Sequence, residues 1–164
     1  MSEFLVDLHT QYEVECWRAG VRIWTDSFHN LVTTAGKNKL LDAAFKTGLA
    51  APAWYVGLVD NASYTVYAAA DTMAAHAGWV EGVPYSQATR PVLTLGTIAA
   101  GSVDNSASKA VFSINASLTI RGAFLVDNST KSGATGTLYG VGDLSASRVV
   151  ISGDTLNITI TLTD

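Results

Sequence analysis

From Arg90 onward, short apolar runs alternate with clusters of Gly, Ser, Asn and Asp. The runs Pro91–Leu95, Ala110–Ile114, Leu118–Val126, Thr137–Val141, Val149–Ile151 and Leu156–Leu162 are rich in β-branched residues, and the clusters between them carry turn chemistry. The last run is the most regular. Leu156, Ile158, Ile160 and Leu162 fall on one face of an extended chain, and Asn157, Thr159, Thr161 and Thr163 on the other. Several strands at short spacing predict a mainly β protein, an antiparallel β-sandwich or jelly roll.

The first 90 residues are more varied. Residues 1–33 read as an extended N-terminal arm or hairpin, turning at Arg18-Ala19-Gly20. Trp17, Trp24 and Phe28 give this segment more apolar surface than a free tail would carry, so it must pack on its own domain or on a neighbour. Because the later strands can close a sandwich without it, the arm is expected to lie on a neighbouring subunit. Trp17, Trp24 and Phe28 are then the candidate intersubunit contacts. Residues 34–164 form the predicted sandwich domain, with a helix near 36–47. Leu40, Leu41, Ala44 and Phe45 make one stripe on that helix. Thr33 or Thr34 can cap its start, Gly48 suits its end, and Pro52 bars continuation. Trp54–Val59 reads as a buried strand. A second short helix is predicted over Thr72–Ala77, with Asp71 as its cap and Gly78 after its end. Val-Asp-Asn occurs three times, at Val59–Asn61, Val103–Asn105 and Val126–Asn128, at unequal spacings. This is one kind of turn used three times rather than a structural repeat.

Composition changes the picture in one respect. Charged residues make up 15% of the chain, against about 25% in ordinary globular domains. Between Gly82 and Asp164 only ten of 83 residues are charged, and Ser, Thr and Asn supply the polarity instead. A monomer uses charge to stay soluble and to discourage strand edges from pairing, so a surface this neutral suits a protein covered by other subunits. The net charge of −4 argues against non-specific nucleic-acid binding, which depends on neutralising phosphates. No run of about 18 apolar residues is present to span a membrane. The opening MSEFLVDLHTQYEVE lacks the basic and continuously apolar regions of a secretory signal, so assembly in the cytoplasm is expected. The single cysteine, Cys16, excludes an intramolecular disulfide.

Residues able to carry chemistry are few. His9, His29 and His76 have no partner at i+2 or i+4 that would build a metal site, and no cofactor or metal is expected. His76 lies five residues from both Asp71 and Glu81, but a histidine near a helix end is the simpler reading. Cys16 has no local partner to activate it. Asp60, Asp104 and Asp127 each stand beside one Asn rather than among carboxylates, unlike a calcium loop. Gly140-Val141-Gly142 continues as Asp143-Leu144-Ser145, so a dinucleotide fingerprint fails at its third glycine. The Asn-x-Ser/Thr sequons at Asn61, Asn115, Asn128 and Asn157 are simplest as chance in a Ser/Thr-rich chain. Trp79 and Tyr85 flank a polar loop and are the candidates for a ligand groove, although aromatics so placed more often plug the mouth of a sandwich.

One longer pattern adds to this. The run from His29 to Asp42 (HNLVTTAGKNKLLD), followed by Trp54–Asn61 (WYVGLVDN), resembles a family of small structural proteins of tailed phage particles. The segments Ala70–Trp79, Ile120–Phe124 and Ser152–Leu156 extend the resemblance, which runs from about Tyr12 to the C-terminus. It implies a non-enzymatic β-domain of the virion, most specifically a capsid decoration (cement) protein. Such a protein oligomerises, as a trimer at three-fold points of the shell, and binds the major capsid protein or other virion proteins. The alternative within the same class is a tail or head-fibre component contacting the host surface or its glycans. A glycan-acting enzyme or lectin using Trp79, Tyr85 and Asp71 or Glu81 is the competing class. The resemblance transfers no catalytic residue.

Overall fold

The computed structural model describes residues 9–46 and 52–163. Its chain opens with a hairpin of β1 (His9–Arg18) and β2 (Val21–His29). Ala19 and Gly20 connect the strands, both with positive φ (47° and 79°). That is the backbone of a type I′ turn, whose twist matches that of the flanking strands. β3 (Leu31–Val32) follows, then the helix α1 (Thr34–Leu41), which runs on into a π-helical turn, Asp42–Lys46. The remaining strands are β4 (Tyr55–Asp60), β5 (Val80–Gly82), β6 (Ser102–Asp104), β7 (Ala110–Ser113), β8 (Leu118–Val126), β9 (Leu138–Val150) and β10 (Asp154–Thr163).

They form two antiparallel sheets, a β-sandwich. Sheet A has the order β2-β1-β10, with β6 and β7 both against the far edge of β10; sheet B has the order β3-β9-β8-β4-β5. Between the sheets lies the main core. Tyr12, Val14 and Cys16 of β1, Leu156, Ile158 and Ile160 of β10 and Phe112 of β7 meet Val56 and Leu58 of β4, Leu125 of β8 and Tyr139 of β9.

Residues 9–29 are therefore not an arm apart from the sandwich. β1 pairs with β10 at ten consecutive positions, from His9↔Thr163 to Arg18↔Asp154. The hairpin's alternation places every second β1 residue in the domain's own core, and β1 is an interior strand of its sheet. Residues 1–8 of the expected arm lie outside the described residues.

Sheet B is apolar on both faces. Val59, Phe124, Val126, Leu138 and Val141 point away from sheet A into a second cluster, roofed by Met73 and Trp79 with Tyr64 and Tyr67. This explains why β4 and much of β8 read as nearly continuous apolar runs, whereas β1 and β10 alternate. The roof is the long connection between β4 and β5. A short helix was expected there over Thr72–Ala77; the chain instead makes a tight turn, with Thr72 and Ala75 exchanging backbone hydrogen bonds of 3.0 and 3.1 Å. Asp71, expected to cap that helix, accepts from the Ala68 N–H and from the Trp79 indole, each at 3.0 Å, and so ties the roof together.

Two further expectations differ. Thr137–Val141 and Val149–Ile151 belong to a single strand, β9, and Gly140 and Gly142 do not interrupt it. They are small because β3 and its approach press on them: a Cβ on Gly142 would sit 2.9 Å from Asn30 Cα, and one on Gly140 would sit 2.8 Å from Leu31 O. Pro91–Leu95 forms no ladder of its own, but runs beside the start of β4 through Val56 N–H to Pro91 O and Leu93 N–H to Trp54 O. The Val-Asp-Asn sites do share one chemistry. Asp60 Oδ1 accepts from Ala62 N–H and Asp104 Oδ1 from Ser106 N–H, while at the third site Asn128 takes the role, accepting from Thr130 N–H.

Asn105 completes sheet A. β7 pairs with β10 through Ile158, and β6 pairs from Thr161 onward, which leaves a gap in the ladder. Into it the Asn105 side chain donates from Nδ2 to Ile158 O at 3.2 Å and accepts at Oδ1 from Ile160 N–H at 2.6 Å. One buried side-chain amide thus stands in for a residue of backbone. Asn105→Ala removes both bonds from buried groups and should cost about 2–4 kcal/mol, measured by denaturant unfolding. A cost within 0.5 kcal/mol would show that water replaces the amide.

Four carboxylates also sit below their usual range, one of them Asp104, held down by bonds from Ser106. The Arg18 guanidinium, at 2.6 and 2.9 Å, holds Asp154 down, and Lys109 holds Glu15 down with help from Arg22. Burial works to raise Asp26, but bonds from Ser145 and Arg148 outweigh it. A depressed folded value stabilises fully above the unfolded value, about 4, and that stability is lost as pH falls through the folded value. The melting midpoint should therefore hold above pH 5 and fall steadily below about pH 4. Asp154→Asn should flatten that fall; an unchanged slope would remove Asp154 from the account.

Candidate interaction surface

Helix α1 is fastened by its first turn. Thr33, fully buried, caps it: Gly36 N–H donates to Thr33 Oγ1 at 3.0 Å, and the Thr33 hydroxyl donates to Leu138 O of β9. Gly36 lies against the Tyr139 backbone so closely that a Cβ would stand 2.3 Å from the carbonyl oxygen. It is the only buried residue of the helix. Beyond that turn the helix leaves the sandwich, and the apolar stripe read from the sequence faces largely outward. Leu41 is 58% and Phe45 86% exposed, with Leu40 at the border of exposure. The periodicity was readable; the side it presented was not, because a glycine and a threonine made the docking contact.

Beside Leu40 a groove of about 250 Å³ opens between the helix and one end of the sandwich. Trp54, Leu93, Leu95, Leu125, Tyr139 and Leu162 complete its lining, and no charged residue contributes. Leu95 is itself partly exposed at the rim. The sequence reading placed these residues in separate predicted elements, and only the fold gathers them into a groove.

The candidate contacts divide. Phe28 is buried in the main core, stacked on Tyr12 at 4.8 Å, and cannot serve a neighbour without unfolding the hairpin. Trp24 packs against the same core at its edge, with the Arg148 guanidinium 5.5 Å from its ring. Trp17 alone lies on the open face of sheet A, opposite Thr155. It is half-buried, and its indole N–H is enclosed without a hydrogen-bond partner. That face continues as Asn157, Thr159, Thr161 and Thr163 of β10 against Glu15, Glu13, Gln11 and His9 of β1, a Thr-rich plane on which Glu15 is paired with Lys109 and Arg22.

Trp79 and Tyr85 line no groove. Each is only 1% exposed: Trp79 lies in the roof over sheet B, and Tyr85 packs edge-on to Phe112 in the main core. His76 stacks on Trp79 at 4.0 Å, and its Nδ1 lies 2.9 Å from the Trp79 carbonyl oxygen. Glu81 is held by Arg90, whose side chain is wholly buried. Arg90 Nε and Nη2 donate to the two Glu81 oxygens at 2.9 and 2.7 Å, and Nη1 donates to Asn128 O. Ser132 N–H donates to the same carboxylate, so this pair clamps the loop after β8. Asp71 and Glu81 are thus both engaged in holding structure. Among the described residues, no three His, Cys, Asp or Glu side chains gather as a metal site, and no helix is long and apolar enough to cross a membrane.

Cys16 is buried in the main core, and burial, with the nearby Asp154 charge, pushes its thiol up to about 12. The thiolate is the reactive form, so Cys16 should resist a thiol reagent at pH 8 in the native protein and react at once in denaturant. Rapid native labelling would mean that β1 separates readily from β10. No protein-family model matches the chain, and no curated protein matches it.

Proposed function

We propose that the protein is a non-enzymatic structural component of a phage particle, a capsid decoration (cement) subunit. It forms a closed homo-oligomer, a trimer at the three-fold points of the shell, and binds the major capsid protein across joints between capsid subunits. The observation that carries this reading is the exposed apolar end formed by Leu40, Leu41, Phe45 and the adjoining groove. Soluble monomers seldom leave such a contiguous patch open to water, and a covered interface accounts for it. Supporting it are the charge-poor composition, the Thr-rich plane of sheet A, suited to broad contacts that rely on shape and hydrogen bonds, and the sequence resemblance. The buried carboxylates serve packing, which leaves binding energy as the protein's contribution.

A subunit bound at a hundredfold excess over its dissociation constant stabilises the state it prefers by about 2.7 kcal/mol. Repeated over a shell, that should raise the temperature at which packed DNA escapes. Particles assembled without the protein should therefore release DNA at lower temperature than complete ones. Equal release, with normal heads but failed attachment to cells, would replace the cement role with the tail or head-fibre role.

A further inference from the structure

We infer that the α1 end of the molecule is the surface on which a second copy of this chain docks, Phe45 of one copy entering the groove of another. This rests on the assembly reading above and assigns it a site. The end supplies both halves of a contact. Phe45 projects from the π-helical turn with 86% of its surface exposed. The groove next to it, about 250 Å³ with seven apolar lining residues, has room for a benzyl side chain and offers it no charge. A surface that carries both a projecting ring and an apolar cavity can mate with the next copy head to tail, and three such contacts close the ring that a trimer requires.

Area points the same way. One exposed aromatic presents on the order of 150–250 Å². With Leu40, Leu41 and Leu95 beside it, the patch reaches several hundred Å², above what single scattered residues leave open. A standard interface buries about 800 Å² on each partner, so this patch can form the dry centre of one. The attachment of α1 fits that role. The helix is fixed through Thr33 and Gly36, and Leu41 and Phe45 of its outer stripe stand exposed beyond that attachment. Lys39, beside Leu40 in the sequence, is paired with Asp127 of its own subunit at 3.7 Å.

The test is the solution mass of the full chain by sedimentation and light scattering at micromolar concentration, with Phe45→Asp and Leu41→Asp compared against Thr161→Asp on the open face of sheet A. The native protein should run as a multiple of 17.2 kDa. Either α1 variant should shift it to the monomer, raising the dissociation constant at least a hundredfold, while Thr161→Asp leaves it assembled. Because Leu41 and Phe45 are exposed, their variants should keep the native circular dichroism and melting midpoint at subunit level, which separates lost assembly from lost folding. An assembled Phe45→Asp protein would overturn this surface and leave the assembly reading intact. A native protein that is monomeric throughout would overturn both.

Discussion

A sheet with two apolar faces has to be covered twice, and the architecture of this protein follows from that requirement. Sheet A covers the inner face of sheet B. The outer face is covered by a long irregular connection, which has little regular backbone pairing to hold it in place. Side chains take over that task. Asp71 fixes Trp79 at the centre of the roof, and Tyr64 and Arg121 meet at Asp143 along its margin. Arg90 reaches through to bind Glu81 and two carbonyls of the loop after β8. A buried ion pair is weak evidence of net stabilisation, yet breaking one is costly because it strands a charge. Here the pair fixes where loops lie, and so the scarce charges of the chain are largely committed inside or between elements.

That commitment bears on the surface. With Arg90, Asp26 and Asp154 buried and the Glu81 carboxylate nearly so, the outside is left mostly to polar residues rich in Thr along sheet A and to apolar residues around α1. The two exposed regions differ in kind. The plane of sheet A is polar, and its hydroxyls and amides can satisfy themselves with water. The α1 end has no such recourse, which is why it, rather than the plane, bears the argument for a partner.

Much of the fold was legible in the sequence. Period-two alternation marked β10, turn residues marked the hairpin at Ala19-Gly20, and the helix cap was placed at Thr33 or Thr34. What escaped depended on contacts distant in sequence. The reason for the glycines of β9 could not be read locally, because the segment crowding them, β3 and its approach, lies more than a hundred positions away. Phe28 was read as an intersubunit anchor because the core it enters is built largely by β10 and sheet B, far along the chain. The groove had no signature, since its lining comes from six separate stretches of chain. The stripe on α1 had a clear signature, but periodicity cannot tell a core-facing stripe from one facing a neighbour.

The pairing of β1 with β10 also sets the order of events during synthesis. Arg18 and Asp154 are 136 positions apart, so the hairpin leaves the ribosome long before the strand that will cover it. At translation rates of about 5–20 residues per second the interval is on the order of ten seconds. Throughout it Tyr12, Val14 and Cys16 have no sheet to close over them, and the free edge of β1 can accept any strand that arrives. A nascent chain with so non-local a closure folds late and is exposed to mispairing with its neighbours on the same message.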